Sequence, residues 1–338
     1  MTTRDWGVFR IHVGDCRELL RAMPEASAQT CVTSPPYFGL RDYGVEGQCG
    51  LEDTPAAFVE NLVAVFREVR RVLREDGTLW LNLGDSYAGD GGVGGHQGDM
   101  MGRKHGAALR ARRPGFGDSK PKDLLGIPWR VALALQTDGW YLRQDIIWHK
   151  PNPMPESVTD RCTKSHEYLF LLSKNGRYYF NSEAMQEPAV GKTTHDVTGQ
   201  GYAAPGQAPH TGARKSGNKA RKPRPGAPEA HGGAQAGSVP WEGFTRNKRS
   251  VWTVATQPFK GAHFATYPPA LIEPCVLAGS RPGDVVLDPF GGAGTTALVA
   301  AKHGRVGVLC ELNPEYVDIA ERRIATAVFG PVAFGEAA

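Results

Sequence analysis

What this chain lacks narrows its class before any motif does. Its six cysteines, at positions 16, 31, 49, 162, 275 and 310, are scattered, with no Cys-x-x-Cys pair. That spacing argues against a zinc site and against a disulfide framework, and it predicts reduced thiols and no metal centre. No stretch reaches the roughly 18 uninterrupted apolar residues of a membrane span. The opening MTTRDWGVFRIHVGD carries no apolar signal core, so a soluble, cytoplasmic protein is expected. Neither sign of charge dominates: the net value is +4, so any basic surface must come from local clustering.

What is present is an ordinary globular composition, 338 residues with 41% apolar and 22% charged. Such a chain can bury a sizeable α/β core. Strand, turn, helix and strand follow one another at the start: Val8 to Val13, Gly14-Asp15, Arg17 to Ala22, then Gln29 to Thr33. This second strand runs into Ser34-Pro35-Pro36-Tyr37, where two prolines end any ladder and force the chain out of the sheet. Residues 54 to 74 place Phe58, Leu62, Val65, Phe66, Val69 and Leu73 on one helical face. Glu75-Asp76-Gly77 is expected to end that helix before a strand from Thr78 to Leu83.

Further along, a helix is expected from Leu124 to Thr137. Strands are expected at Tyr141 to Trp148, Tyr168 to Ser173 and Tyr178 to Phe180. The last ninety residues predict a helix from Pro268 to Ala278 and a buried strand from Asp284 to Leu287. A helix ending at His303, a strand from Arg305 to Cys310 and a helix from Pro314 to Ala327 complete the pattern.

Two segments break it. Residues 89 to 122 hold ten glycines and seven Lys/Arg against three Asp/Glu and read as a long flexible loop. Between 182 and 250 the chain turns Gly/Pro-rich, and Arg214, Lys215, Lys219, Arg221, Lys222 and Arg224 form a run without an acid. That run is either a solvated linker or an insertion that meets the phosphate backbone of a nucleic acid.

Chemistry concentrates in two places. Asp288-Pro289-Phe290-Gly291-Gly292-Ala293-Gly294-Thr295 sits between a strand and a helix, and the next strand ends at Glu311, twenty-three residues beyond Asp288. Glycines there let backbone approach a ligand, and the second acid can accept both hydroxyls of a ribose. A nicotinamide cofactor could use a similar unit. The acid that opens the turn favours a donor carrying an ammonium instead of a pyrophosphate, and Phe290 or Tyr37 offers a face to a sulfonium. The second place is Ser34 to Tyr37, at the carboxyl end of a predicted parallel strand, where open α/β sheets bind ligands. An exocyclic amine on a base is a poor nucleophile. Ser34 Oγ and the Pro35 carbonyl can accept its two N–H bonds and draw its lone pair out of the ring, while Tyr37 offers a stacking surface. No cysteine is marked out as the nucleophile that methylation at cytosine C5 requires.

Together these elements resemble the amino-methyltransferases that act on DNA. The order, Thr33 to Tyr37 early and Asp288 to Thr296 late, is similar to the β class of that family. Gly14-Asp15-Cys16, Gly77 to Asp85, His166 to Leu169, Tyr267 to Leu271 and Glu311 to Tyr316 add to the likeness. The resemblance implies S-adenosylmethionine as donor, with Asp15 and Cys16 at its adenine and Glu311 (with Asn313 beside it) at its ribose. Asp288, Phe290, Gly291, Gly292, Gly294 and Thr295 would surround its methionine part. It also implies a helix after Tyr267 that closes over the donor. His166-Glu167 reads as a pair that only holds the sheet together. Double-stranded DNA is the implied partner; a cognate restriction endonuclease and a homodimer are compatible with it. Members with Ser at the position of Ser34 are mostly cytosine N4 enzymes, which favours that acceptor over adenine N6.

The expected architecture is an α/β, Rossmann-like methyltransferase fold with a mostly parallel seven-stranded sheet and permuted motif order. Residues 1–181 form the catalytic half, 182–250 the target-recognition insertion, 251–330 the donor-binding half and 331–338 a tail. The rival readings are an RNA or protein methyltransferase, a DNA-binding module with a decayed site, and an NAD-dependent oxidoreductase.

Overall fold

The computed structural model describes residues 2–88, 119–188, 245–257 and 266–331. Most of the loop at 89–122, the basic run from Arg214 to Arg224 and the tail at 332–338 lie outside the described residues. Two compact units are distinguished, 1–185 with 248–338, and Gln186–Asn247.

In the first unit, β1 (Thr2–Asp5) pairs antiparallel with β2 (Phe9–Val13). α1 (Cys16–Ala22) begins where the Asp15 carboxylate accepts the Arg17 N–H at 2.8 Å. β3 (Ala28–Thr33) is buried at every position, as a strand covered on both faces must be. α2 (Pro55–Val72) starts with Thr54 as cap and Pro55 in its first turn. Its stripe of Phe58, Leu62, Val65, Phe66, Val69 and Val72 is buried, each side chain contributing about 1.5–3 kcal/mol. β4 (Leu73–Leu83), α3 (Ile127–Thr137), β5 (Tyr141–His149) and β6 (His166–Ser173) complete the first half.

The second unit holds a short antiparallel pair, β7 (Gln186–Pro188) with β8 (Thr245–Asn247). The first unit resumes with β9 (Val251–Thr253), α4 (Pro269–Gly279), β10 (Val285–Asp288), α5 (Thr295–Lys302), β11 (Val306–Glu311) and α6 (Pro314–Phe329).

The main sheet runs β1-β2-β11-β10-β3-β4-β6-β5-β9. The five strands from β2 to β4 are mutually parallel, and β6 lies antiparallel to both β4 and β5. Side chains alternate across the pleat. Leu79, Leu81 and Leu83 of β4 enter a core closed by α1, α2 and α3, while Trp80 enters the opposite core under α4. α5 and α6 cover Phe9, Ile11 and Leu309 in a third cluster. Helices therefore blanket both faces, and the polar chemistry is left to the edge where the parallel strands end.

This is the expected α/β methyltransferase-like sheet with permuted order, but with nine strands among the described residues instead of seven. The additions are the edges β1 and β9, whose short, mostly exposed sequences carry no hydrophobic alternation. Glu75-Asp76-Gly77 does not separate helix from strand. β4 already begins at Leu73, and its pairing with β3 jumps from Ala28↔Leu73 to Thr30↔Thr78 across a bulge. Tyr178 to Phe180 forms no strand; Phe180 stacks on Trp80, and the Arg281 guanidinium lies 3.8 Å over the Tyr179 ring. α3 starts at Ile127, three residues later than expected, because Asp85 Oδ1 accepts the Ile127 N–H at 2.9 Å and Gly126 takes a left-handed turn.

Candidate active site

The sheet order makes neighbours of β3 and β10, so Ser34, one residue past β3, lies beside the glycine turn that follows β10. The link is direct. Thr33 Oγ1 donates to Asp288 Oδ1 at 2.6 Å, and Phe290 N–H donates to the same oxygen at 3.0 Å. Asp288 Oδ2 accepts from Thr296 Oγ1 at 2.7 Å and Tyr267 OH at 3.2 Å. Four donors fill the roughly four acceptor sites of one carboxylate. Burial raises the Asp288 pKa, and these hydrogen bonds offset part of that rise. Asp288 therefore acts as an internal tie between the two halves of the site, in contrast to the ammonium contact expected from sequence.

Glu311, at the end of β11, is differently placed. Its Oε2 accepts Gly292 N–H at 2.6 Å and its Oε1 accepts Asn313 N–H at 2.8 Å. One acceptor position per oxygen remains, and Glu311 lines the cavity. Burial, above all, raises its pKa, against the pull of those backbone donors. Asp15 is paired with Arg17, whose guanidinium also reaches Gly47 O at 3.4 Å. Burial disfavours the charged Asp15, but the Arg17 contacts win and lower its pKa. Cys16 is buried beside it, and that burial pushes its thiol pKa up.

A single cleft of about 880 Å³ gathers these groups. Ser34, Pro35, Pro36, Tyr37, Asp15, Cys16, Asp288, Phe290, Gly291, Gly292, Thr295, Glu311 and Asn313 all line it. Gly294 does not. A Cβ there would stand 2.8 Å from Ile324 Cδ1, and its φ of +75° caps α5, so packing against α6 explains this glycine. The cleft suits a donor of the expected kind, with a carboxylate holding open acceptor positions at one end and the rings of Phe290, Tyr43 and Tyr316 along its walls.

The other end is polar. Tyr37 OH donates to Glu167 Oε2 at 2.6 Å. Asn82 Nδ2 lies 2.8 Å from Tyr37 OH, 3.0 Å from Glu167 Oε2 and 3.4 Å from Ser34 Oγ. Lys150 forms an ion pair with Glu167. Burial, reinforced by the Glu167 carboxylate, raises the Tyr37 pKa well above its usual value and keeps the phenol protonated. The ring sits where Gly84 leaves room: a Cβ on Gly84 would come within 2.5 Å of Tyr37 Cε2.

With this arrangement in view, comparison with known proteins decides the family. A DNA methylase family profile, covering N6 and N4 enzymes, matches residues 28–322. The chain belongs to this DNA methylase family. The methylase is 46% identical over 312 residues to the Type II methyltransferase M.Cfr9I of Citrobacter freundii, covering 92% of this chain and 86% of that one. It is 44% identical over 315 residues to M.SmaI of Serratia marcescens, covering 93% and 90%. Among solved structures it is similar to a candidate DNA modification methylase of Thermus thermophilus complexed with S-adenosyl-L-methionine. That likeness has a TM-score of 0.55 at 26% identity, over 95% and 96% of the two chains. It also shares the fold of the PvuII cytosine-N4-specific DNA methyltransferase, with a TM-score of 0.58 at 17% identity over 96% and 94%.

Two readings of the methylase's motifs need revision. α4, which follows Tyr267, packs on the sheet face with Leu271, Ile272, Cys275 and Val276. Among the described residues of this region Thr266 and Tyr267 reach the cleft and those of α4 do not, so the helix is no cover. Glu167 is no mere sheet-holder either, because it bonds Tyr37 inside the cleft. Lys150 and Tyr43, with Asn82 and Tyr316 from two of the matching motif segments, are further cleft residues to which the sequence assigned no role. A signal existed for Asn82, a lone amide in the otherwise apolar Leu79 to Leu83 run.

Proposed function

We propose that this DNA methylase transfers the methyl group of S-adenosylmethionine to cytosine N4 at a defined site in duplex DNA, with the target base turned out of the helix. The observation that carries this reading is the shared cleft of Ser34 and the glycine turn, tied by the 2.6 Å bond from Thr33 to Asp288. S-adenosylmethionine supplies an electrophilic methyl on a sulfonium. Glu311 would hold its ribose hydroxyls, Asp15 and Cys16 would border its adenine, and the 291–293 backbone with Phe290 would border its methionine part. Ser34 Oγ and the Pro35 carbonyl accept the amine's N–H bonds, and the Tyr37 ring supports the extruded base. Orientation and aimed dipoles then do the work, without a covalent enzyme intermediate.

Ser34 favours cytosine N4 because a neutral hydroxyl at this position is the pattern of the N4 members that the sequence resembles. Recognition of the target falls to the 182–250 insertion with its Arg214, Lys215, Lys219, Arg221, Lys222 and Arg224 run, whose positive charge suits phosphates. The test is incubation with duplex DNA and labelled S-adenosylmethionine, then digestion to nucleosides. N4-methyldeoxycytidine is expected; N6-methyldeoxyadenosine would overturn the cytosine assignment, and label confined to RNA or protein would overturn the DNA assignment. Intact sequence-specific methylation after removal of 206–236 would overturn the role of the insertion.

A further inference from the structure

An amine that has accepted a methyl group must shed a proton, and Ser34 is too weak a base to keep it. We propose that Glu167 is the final acceptor of that proton, reached from the substrate amine through Ser34 and Tyr37. The inference rests on the reading of Ser34 as the group that accepts the amine's N–H.

Four strands assemble the path and its ion pair. Ser34 follows β3, Asn82 lies near the end of β4, and Glu167 lies at the start of β6, with Lys150 just past β5. The phenol donates to Glu167 Oε2 at 2.6 Å, and Ser34 Oγ and Tyr37 OH share the Asn82 amide, with Ser34 acting on the phenol. The phenol thus already points its proton toward the carboxylate. Asn82 Nδ2 is within reach of all three oxygens, at 3.4, 2.8 and 3.0 Å for Ser34, Tyr37 and Glu167. Its amide is turned so that NH2 faces them and Oδ1 is buried without a hydrogen-bond partner. A buried acceptor left so costs about 1–3 kcal/mol. The opposite orientation would set the Asn82 carbonyl against the Glu167 carboxylate, so the amide turns its NH2 to the cluster and leaves its own oxygen without a partner.

The atoms balance. The amine's lone pair forms the new N–C bond, and the pair of the breaking C–S bond returns to sulfur. One amine proton passes to Ser34 Oγ, the original Ser34 proton passes to Tyr37 Oη, and the original Tyr37 proton passes to Glu167 Oε2. A positive sulfonium and a negative carboxylate become a neutral thioether and a neutral acid. Serine and tyrosine end as they began, and neither has to exist as a free anion, which suits a phenol whose pKa is raised well above its usual value. A ring-conjugated amine becomes a very strong acid once methylated, so a carboxylate ion-paired with Lys150 is base enough. Lys164 and His166 are the other cationic or titratable groups acting on Glu167.

Glu167→Gln keeps the shape and ends the path in a group that cannot accept the proton; Tyr37→Phe keeps the ring and removes the relay oxygen. Single-turnover methyl transfer should fall about a hundredfold in Glu167→Gln, with KM for DNA and donor affinity unchanged. Fluorescence of 2-aminopurine at the target should report the same base extrusion in wild type and variants. The two losses should not multiply in the double variant, and the wild-type solvent deuterium isotope effect should shrink in each single variant. A Glu167→Gln rate within about threefold of wild type would overturn the relay. Full multiplication of the two losses, or an unchanged isotope effect in Tyr37→Phe, would do the same. Either amine must lose a proton, so a wild type that methylates adenine N6 would overturn the cytosine assignment and leave the relay standing.

Discussion

Replacing Glu311 with glutamine isolates what one buried carboxylate contributes to donor binding. Its two oxygens each accept one backbone N–H, from Gly292 at 2.6 Å and Asn313 at 2.8 Å, and each retains one acceptor position toward the cleft. Two vicinal ribose hydroxyls can take those positions. Glutamine has one acceptor oxygen, and its NH2 would confront a backbone N–H. The variant therefore loses a charge-assisted hydrogen bond, worth about 1.5–3 kcal/mol. At about 1.4 kcal/mol per factor of ten, donor affinity should weaken roughly tenfold to a hundredfold.

A pH dependence accompanies this. Burial raises the Glu311 pKa above that of an ordinary glutamate, so the ionised form that binds hydroxyls is lost on acidification earlier than usual. In the empty protein the sign is opposite. A carboxyl whose folded pKa is raised contributes stability below its unfolded pKa, and that contribution disappears as pH rises through the folded value. Acidification should therefore favour the empty protein's fold at this group while weakening the donor, so the donor-induced rise in melting temperature should shrink. Calorimetric titration with S-adenosylmethionine across a pH series reads both effects. Equal dissociation constants for wild type and Glu311→Gln, or an affinity flat with pH, would remove Glu311 from the ribose site.

Asp288→Asn keeps an oxygen for Thr33 and Phe290 and turns an NH2 toward two hydroxyls that can accept, so stability at neutral pH should change by only about 1 kcal/mol. Because burial raises the Asp288 pKa, the wild type should gain on the variant as pH falls, which urea melts at neutral and mildly acidic pH would check. Asp288→Ala instead strands four donors and should cost about 3 kcal/mol or more. Gly84→Ala would push a Cβ to 2.5 Å from Tyr37 Cε2; a displacement near 1 Å should lower kcat about a hundredfold with donor affinity retained. An unchanged kcat would show the ring position to be irrelevant. Ser34→Ala should cut turnover while sparing donor binding, and an unaltered rate in a single-turnover assay would refute its acceptor role.

Sequence alone reached the elements whose logic is local. β3 and β10 each end at a recognisable corner, and the rule that ligands gather at the carboxyl ends of parallel strands was enough to predict one cleft. The polar cluster was another matter. Glu167 looks like a polar residue at the start of an apolar strand until the antiparallel pairing of β4 with β6 lays it beside Asn82, and that register is written in no short motif. Asp288 misled for a related reason. An acid at a turn reads as available to a ligand, and only the three-dimensional neighbourhood reveals four protein donors already on it. Gly294 repeated the lesson, since its demand comes from α6, far along the chain.

The permuted strand order has a consequence for biosynthesis. As the chain emerges from the ribosome, β2 and β3 are made early, yet the two strands that belong between them, β11 and β10, are made last. Until then both early strands present bare edges, open to pairing with another nascent copy. A stalled or clipped product ending before residue 285 would consequently be both inert and sticky.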